Sequence, residues 1–191
     1  MTNHGHWTTG TTSRAALAAT IVAVAAIMVP AVPLHGQAGD GTQLHIGLGW
    51  GSRHCDECGG RFGGLAGDIA VGTRVTPRIL VGGQLSGWLG NVRDEDDLGT
   101  TGYQLATVLT AVARIYFSTT GPVFLLTGIG LGLSTRGLAT VETGVAFIGG
   151  LGYDWVASEG ICFTPFVNAI EITGVAGGTT MLQVGLGVTT R

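Results

Sequence analysis

From Leu44 to Trp50 the chain alternates between large apolar residues (Leu44, Ile46, Leu48, Trp50) and small or polar ones (His45, Gly47, Gly49). A period of two predicts a β-strand with one oily face. The pattern returns at Thr127–Leu133 and again at Leu182–Val188. Between these lie further alternating stretches at Leu65–Val75, Ile79–Leu89, Tyr103–Phe117, Val141–Trp155 and Ile161–Ile172. With Thr42–Ser52, Val123–Thr135 and Met181–Thr190 as the first, fifth and last, the pattern predicts eight strands. Nothing after residue 42 carries a helical period.

The connections alternate in length. Thr76-Pro77-Arg78, Ser118–Pro122 and Ala157–Gly160 read as short turns, whereas Arg53–Phe62 and Gly90–Gly102 read as long polar loops. Ile161–Ile172 has mixed faces, with Phe163 and Val167 sharing one with Glu171, and Phe166 and Ile170 sharing the other with Asn168. A bulge near Pro165 is the expected remedy. Trp88 falls on the polar face of its strand and is expected to plug the rim.

Composition decides which way the oily face points. Only 11% of residues are Asp, Glu, Lys or Arg, against about 25% in a soluble domain. An outward face of Gly, Ala and Thr would make a poor aqueous surface. An outward apolar band suits a bilayer, which only helices and closed barrels can span. Strands of about 9–11 residues suffice to cross, and an even strand count fits. The expectation is all-β: a closed eight-stranded antiparallel up-and-down transmembrane β-barrel. A soluble periplasmic barrel with an apolar ligand cavity is the competing architecture. The formal charge of −3, without a basic cluster, gives no support for nucleic-acid binding.

Ahead of the barrel, Ala15–Val29 is apolar apart from Thr20, follows Arg14 and is closed by Pro30. Gly36-Gln37-Ala38 offers small residues where a signal peptidase reads them. Residues 1–38 are therefore expected to be a cleavable signal peptide of the Sec type, and 39–191 the barrel domain. An uncleaved membrane helix would need about 20 apolar residues, and Pro30 and Pro33 cut the run short.

The exported leader, Ile46-Gly47-Leu48-Gly49-Trp50, Gly150-Leu151-Gly152-Tyr153-Asp154, Thr164-Pro165-Phe166-Val167 and the closing Leu182–Val188 stretch together resemble the small eight-stranded outer-membrane barrels, the OmpA/OmpX-like superfamily, over residues 42–190. The resemblance implies residence in the outer membrane of a diderm bacterium. It also implies a monomer in contact with outer-membrane lipid and the outer-membrane assembly machinery, and long loops free to meet an extracellular ligand. Chains of this family usually end in an aromatic residue, and this one ends Thr189-Thr190-Arg191.

Few residues suggest chemistry. Cys55 and Cys58 in an exported chain point to a disulfide in the first long loop. Metal-binding thiols are the alternative, but His54, Cys55 and Cys58 offer three ligands where a zinc site needs four. Cys162 reads as a small strand residue at the membrane or lumen face. Asp94–Asp97 lacks the ligand spacing of a calcium loop. The polar-face residues His45, Asp68, Arg74, Gln84, Arg114, Glu142, Asp154 and Gln183 are expected to form a lumen network, because narrow barrels fill with side chains. The many inward glycines leave two readings open, a narrow path for small solutes or close coiling of the wall. No Ser/His pairing is evident, and neither an enzymatic role nor a cofactor or metal is expected. The expected work is structural, adhesive or surface-binding, with a narrow solute channel as the alternative.

Overall fold

The computed structural model describes residues 41–55, 60–93, 101–136, 140–174 and 178–190. The expected signal peptide, Cys58, the side chain of Cys55, and Asp94–Asp97 lie outside the described residues. The strands are β1 (Gln43–Cys55), β2 (Gly60–Thr76), β3 (Ile79–Arg93), β4 (Thr101–Tyr116), β5 (Val123–Arg136), β6 (Thr140–Tyr153), β7 (Trp155–Ser158), β8 (Ile161–Thr173) and β9 (Thr179–Thr190). Each pairs antiparallel with its sequence neighbour from β1 to β6. The chain leaves the ladder at Asp154, so β6 and β7 share one place in the wall, and both pair with β8. β8 pairs with β9, and β9 closes the ring on β1, from His45 opposite Thr189 to Cys55 opposite Thr179. The result is a closed barrel of eight wall positions. Closure leaves no long open edge.

Three sequence expectations are corrected. The strands reach 17 residues in β2, beyond the span needed to cross a bilayer, because pairing continues into the stretches that read as loops. Cys55 still pairs with Gly60, and Arg93 with Thr101. Arg53 is thus a strand residue. No bulge interrupts β8: its faces alternate without a break, and its ladder with β9 runs continuously from Ile161 opposite Thr190 to Ile172 opposite Thr179. Phe166, Asn168 and Ile170 point inward and Glu171 outward. Trp88 does face inward, but it is buried in the packed interior.

Outside, the apolar residues form a continuous band. Leu48, Trp50 and Leu131 are 65%, 64% and 68% exposed. Leaving one such side chain in water forfeits about 1.5–3 kcal/mol, so a whole band of them is compatible only with a lipid surround. Inside, Val108, Val112, Phe124, Leu126, Ile148, Ile170, Ile172 and Met181 pack together with Leu80 and Trp88 in one apolar cluster. Buried polar residues stand among and around it, on β1, β2, β3, β4, β5, β8 and β9. At the first short turn Thr76 Oγ1 accepts from the backbone N–H groups of Arg78 (3.3 Å) and Ile79 (3.0 Å).

Candidate functional site: the barrel interior

β1 runs from the end that carries the short turns to the end that carries the longer connections. Its inward positions are Gln43, His45, Gly47, Gly49, Gly51 and Arg53, so polar side chains stand at both ends with glycines between.

At the turn end, His45 lies between two partners. Its Nε2 is 3.1 Å from Asp68 Oδ2, and its Nδ1 is 2.8 Å from Thr189 Oγ1. The ring meets Phe166 edge-on, with centroids 5.9 Å apart. Thr189 Oγ1 is 2.8 Å from Thr164 Oγ1, which donates to Asp154 Oδ1 at 2.8 Å. Tyr116 donates to Asp154 Oδ2, also at 2.8 Å. The backbone N–H of Asp154, freed by the break between β6 and β7, donates to the carbonyl of Pro122 at 2.9 Å. The Arg74 guanidinium stands 5.0 Å above the Tyr116 ring and donates to Pro77 O, while that of Arg114 stands 4.9 Å above Phe124.

At mid-height, Gln84 donates to Ser86 Oγ (3.0 Å), and Gln183 reaches from β9 to the carbonyl of Gly87 on β3 (3.2 Å). At the loop end, Arg53 donates to Gln104 Oε1 (2.9 Å) and Ser134 Oγ (2.6 Å), with its guanidinium 5.5 Å from the Trp88 ring centre. Trp88 donates to the carbonyl of Gly51 at 3.1 Å. Glu142 is half-buried and within electrostatic reach of Arg53.

Of the eight residues named from sequence, His45, Asp68, Gln84, Arg114, Asp154 and Gln183 are buried, and Arg74 and Glu142 are half-buried. His45, Asp68 and Asp154 meet in one hydrogen-bonded chain. Gln84, Gln183 and Glu142 stand outside that chain. Sequence reading missed the residues that connect the members, Thr164, Thr189 and Tyr116, and the whole loop-end group of Arg53, Gln104 and Ser134. Continuing the phase of β1 past Ser52 would have placed Arg53 inward. It also found no histidine–hydroxyl pair, since His45 and Thr189 are 144 positions apart. Asp68, His45 and Thr189 have the carboxylate–imidazole–hydroxyl order of a nucleophilic triad. All three are buried, and the Thr189 hydroxyl is already shared with Thr164.

The inward glycines face neighbouring side chains. A Cβ on Gly51 would stand 2.7 Å from the Trp88 ring, and one on Gly132 would stand 2.7 Å from Ile172. On Gly47 it would stand 2.6 Å from Asp68 Oδ1 and 2.7 Å from the Phe166 ring. At these three positions the room that the glycine leaves is taken by side chains of other strands, whereas Gly49, Gly82 and Gly130 lie against neighbouring backbone.

No protein-family model matches this sequence, and no curated protein does. Among solved structures, the chain is similar to Neisserial surface protein A, with 14% identity and a TM-score of 0.55, over 80% of this chain and 99% of that one. It is also similar to Ail, the attachment invasion locus protein of Yersinia pestis, with 14% identity and a TM-score of 0.52, over 80% and 99%. A second Ail structure, in complex with the heparin analogue sucrose octasulfate, gives 12% identity and a TM-score of 0.52 over 78% and 98%. At such identity the likeness is one of fold, that of the small eight-stranded outer-membrane β-barrels.

Proposed function

We propose that this chain is an integral outer-membrane protein with an occluded lumen, whose work is structural or surface-binding and is done at its loops. The observation that carries the reading is the fit between large inward side chains and inward glycines, with Trp88, Phe166 and Ile172 seated where a solute path would run. The apolar outer band supports the membrane over a soluble ligand-binding barrel. The burial of Asp68, His45 and Thr189 argues against hydrolysis there, because no substrate reaches a hydroxyl enclosed by the wall. The likeness in fold to an attachment protein favours a binding role at the surface. The acidic Asp94–Asp97 run in the second long loop recommends a ligand other than a polyanion.

Two measurements test this. The protein should stay with the outer membrane until detergent is added; release into the soluble fraction would sink the reading. Reconstituted in planar bilayers it should pass no steady current, and a stable unit conductance would replace the occluded lumen with a narrow channel.

A further inference from the structure

The chain of contacts from Asp68 to Asp154 cannot be completed with the hydrogens its groups ordinarily carry. Asp68 Oδ2 meets His45 Nε2, His45 Nδ1 meets Thr189, Thr189 meets Thr164, and Thr164 meets Asp154 Oδ1. Each of these four links needs one hydrogen. A neutral imidazole brings one and each threonine hydroxyl one, and an ionised carboxylate at either end brings none. Three hydrogens must serve four links. The shortfall holds whichever way the hydroxyls turn.

We propose that this buried chain binds one additional proton, carried on His45 as an imidazolium whose two N–H groups donate to Asp68 and Thr189. The two ends of the chain are unlike, and that fixes the proton's place. Asp154 accepts from both Thr164 and Tyr116, and Arg74 and Arg114 lie within electrostatic reach of Tyr116. Asp154 thus already serves as acceptor for two hydroxyl groups. Asp68 has the imidazole as its charge partner, and its Oδ1 is buried with no hydrogen-bond partner. Between imidazole and carboxylate the ring is the stronger base. Among the described residues, the titratable or charged groups around the chain include Asp68 and Arg74 from β2, Arg114 and Tyr116 from β4, Asp154 at the strand break, and Cys162, which lies opposite Thr189 on β8. Thr189 and Thr164 then pass their hydroxyl hydrogens towards Asp154. The bound proton thereby orients a chain that spans the β1–β9 closure.

The experiment is nitrogen NMR of the full chain, labelled with ¹⁵N-histidine and folded in lipid nanodiscs at neutral pH. His45 is identified by elimination with H4Q, H6Q, H35Q and H54Q. Both ring nitrogens of His45 should carry hydrogen. A neutral ring with one bare nitrogen overturns the proposal. Asp154→Asn and Asp68→Asn each place an amide N–H at one end of the chain and supply the missing hydrogen. In each variant that folds, His45 should become neutral. A ring that stays an imidazolium in Asp154→Asn shows a proton held by Asp68 alone and overturns the proposed chain. The wild-type spectrum decides even where neither variant folds.

Discussion

Trp88 on β3 donates its indole N–H to the carbonyl of Gly51 on β1 at 3.1 Å, across the intervening β2. Its ring covers Gly51, Gly64 and Gly90. One side chain thereby fills the space that three glycines open.

Replacing it removes both the tie and the filler. Trp88→Ala should lower unfolding stability by about 3–5 kcal/mol, the usual cost of deleting a buried aromatic ring. In bilayers it should also raise ion leakage above the wild type. Urea titration in lipid vesicles and single-channel recording measure the two effects.

Glycines on the two faces of the wall should respond unequally. Gly47→Val would press on Asp68 Oδ1 and the Phe166 ring, and overpacking of this kind costs about 1–3 kcal/mol. A Cβ on Gly83 or Gly149 meets nothing within 4 Å, so Gly83→Ala should change stability by no more than about 0.5 kcal/mol. Equal unfolding midpoints for the two variants would contradict the packing described.

Leu48 lies mid-strand on the outer face. Leu48→Arg should destabilise the lipid-inserted barrel by about 2–4 kcal/mol, the cost of a cation near the bilayer midplane. The same change on an aqueous surface would be close to neutral. Vesicle unfolding curves separate the two cases.

Arg53 satisfies Gln104 and Ser134 together. Arg53→Ala should cost about 1–3 kcal/mol by stranding buried polar partners. Arg53→Lys should not restore the loss, since a single ammonium lacks the fork that reaches both. A double-mutant cycle with Ser134→Ala should show coupling of about 0.5–3 kcal/mol.

Sequence exposed most of the wall, because the outer face is apolar nearly everywhere and the eye follows it. It misled where the lumen is apolar too. On β8, Phe166 packs inward against His45 and Ile170 packs inward in the apolar cluster, and Glu171 faces out near the loop end, so a rule of oil outside and polar inside asked for a bulge. Continuous pairing with β9 kept the phase instead. Arg53 was obscured by its setting, Ser52-Arg53-His54-Cys55, in which no large apolar residue marks the outer face. The lumen carboxylates and His45 were visible as polar interruptions. Their connectors were not, because Thr164 and Thr189 look like ordinary strand threonines until the β1–β9 and β8–β9 pairings bring them together.

The departure at Asp154 has a further consequence. Beyond it, β7 pairs with β8 and, among the described residues, with no strand on its other side. All four of its residues are exposed. Here the wall keeps a short free margin of backbone donors and acceptors on the side of the short turns. A stray extended chain docking there could gain only a few hydrogen bonds at about 1 kcal/mol each. The irregularity between Val156 and Ser158 spoils the run further. That is too little to offset the ordering of the incoming chain, at about 1–2 kcal/mol per residue. Brevity and a kink therefore keep neighbouring copies from zipping together at this margin.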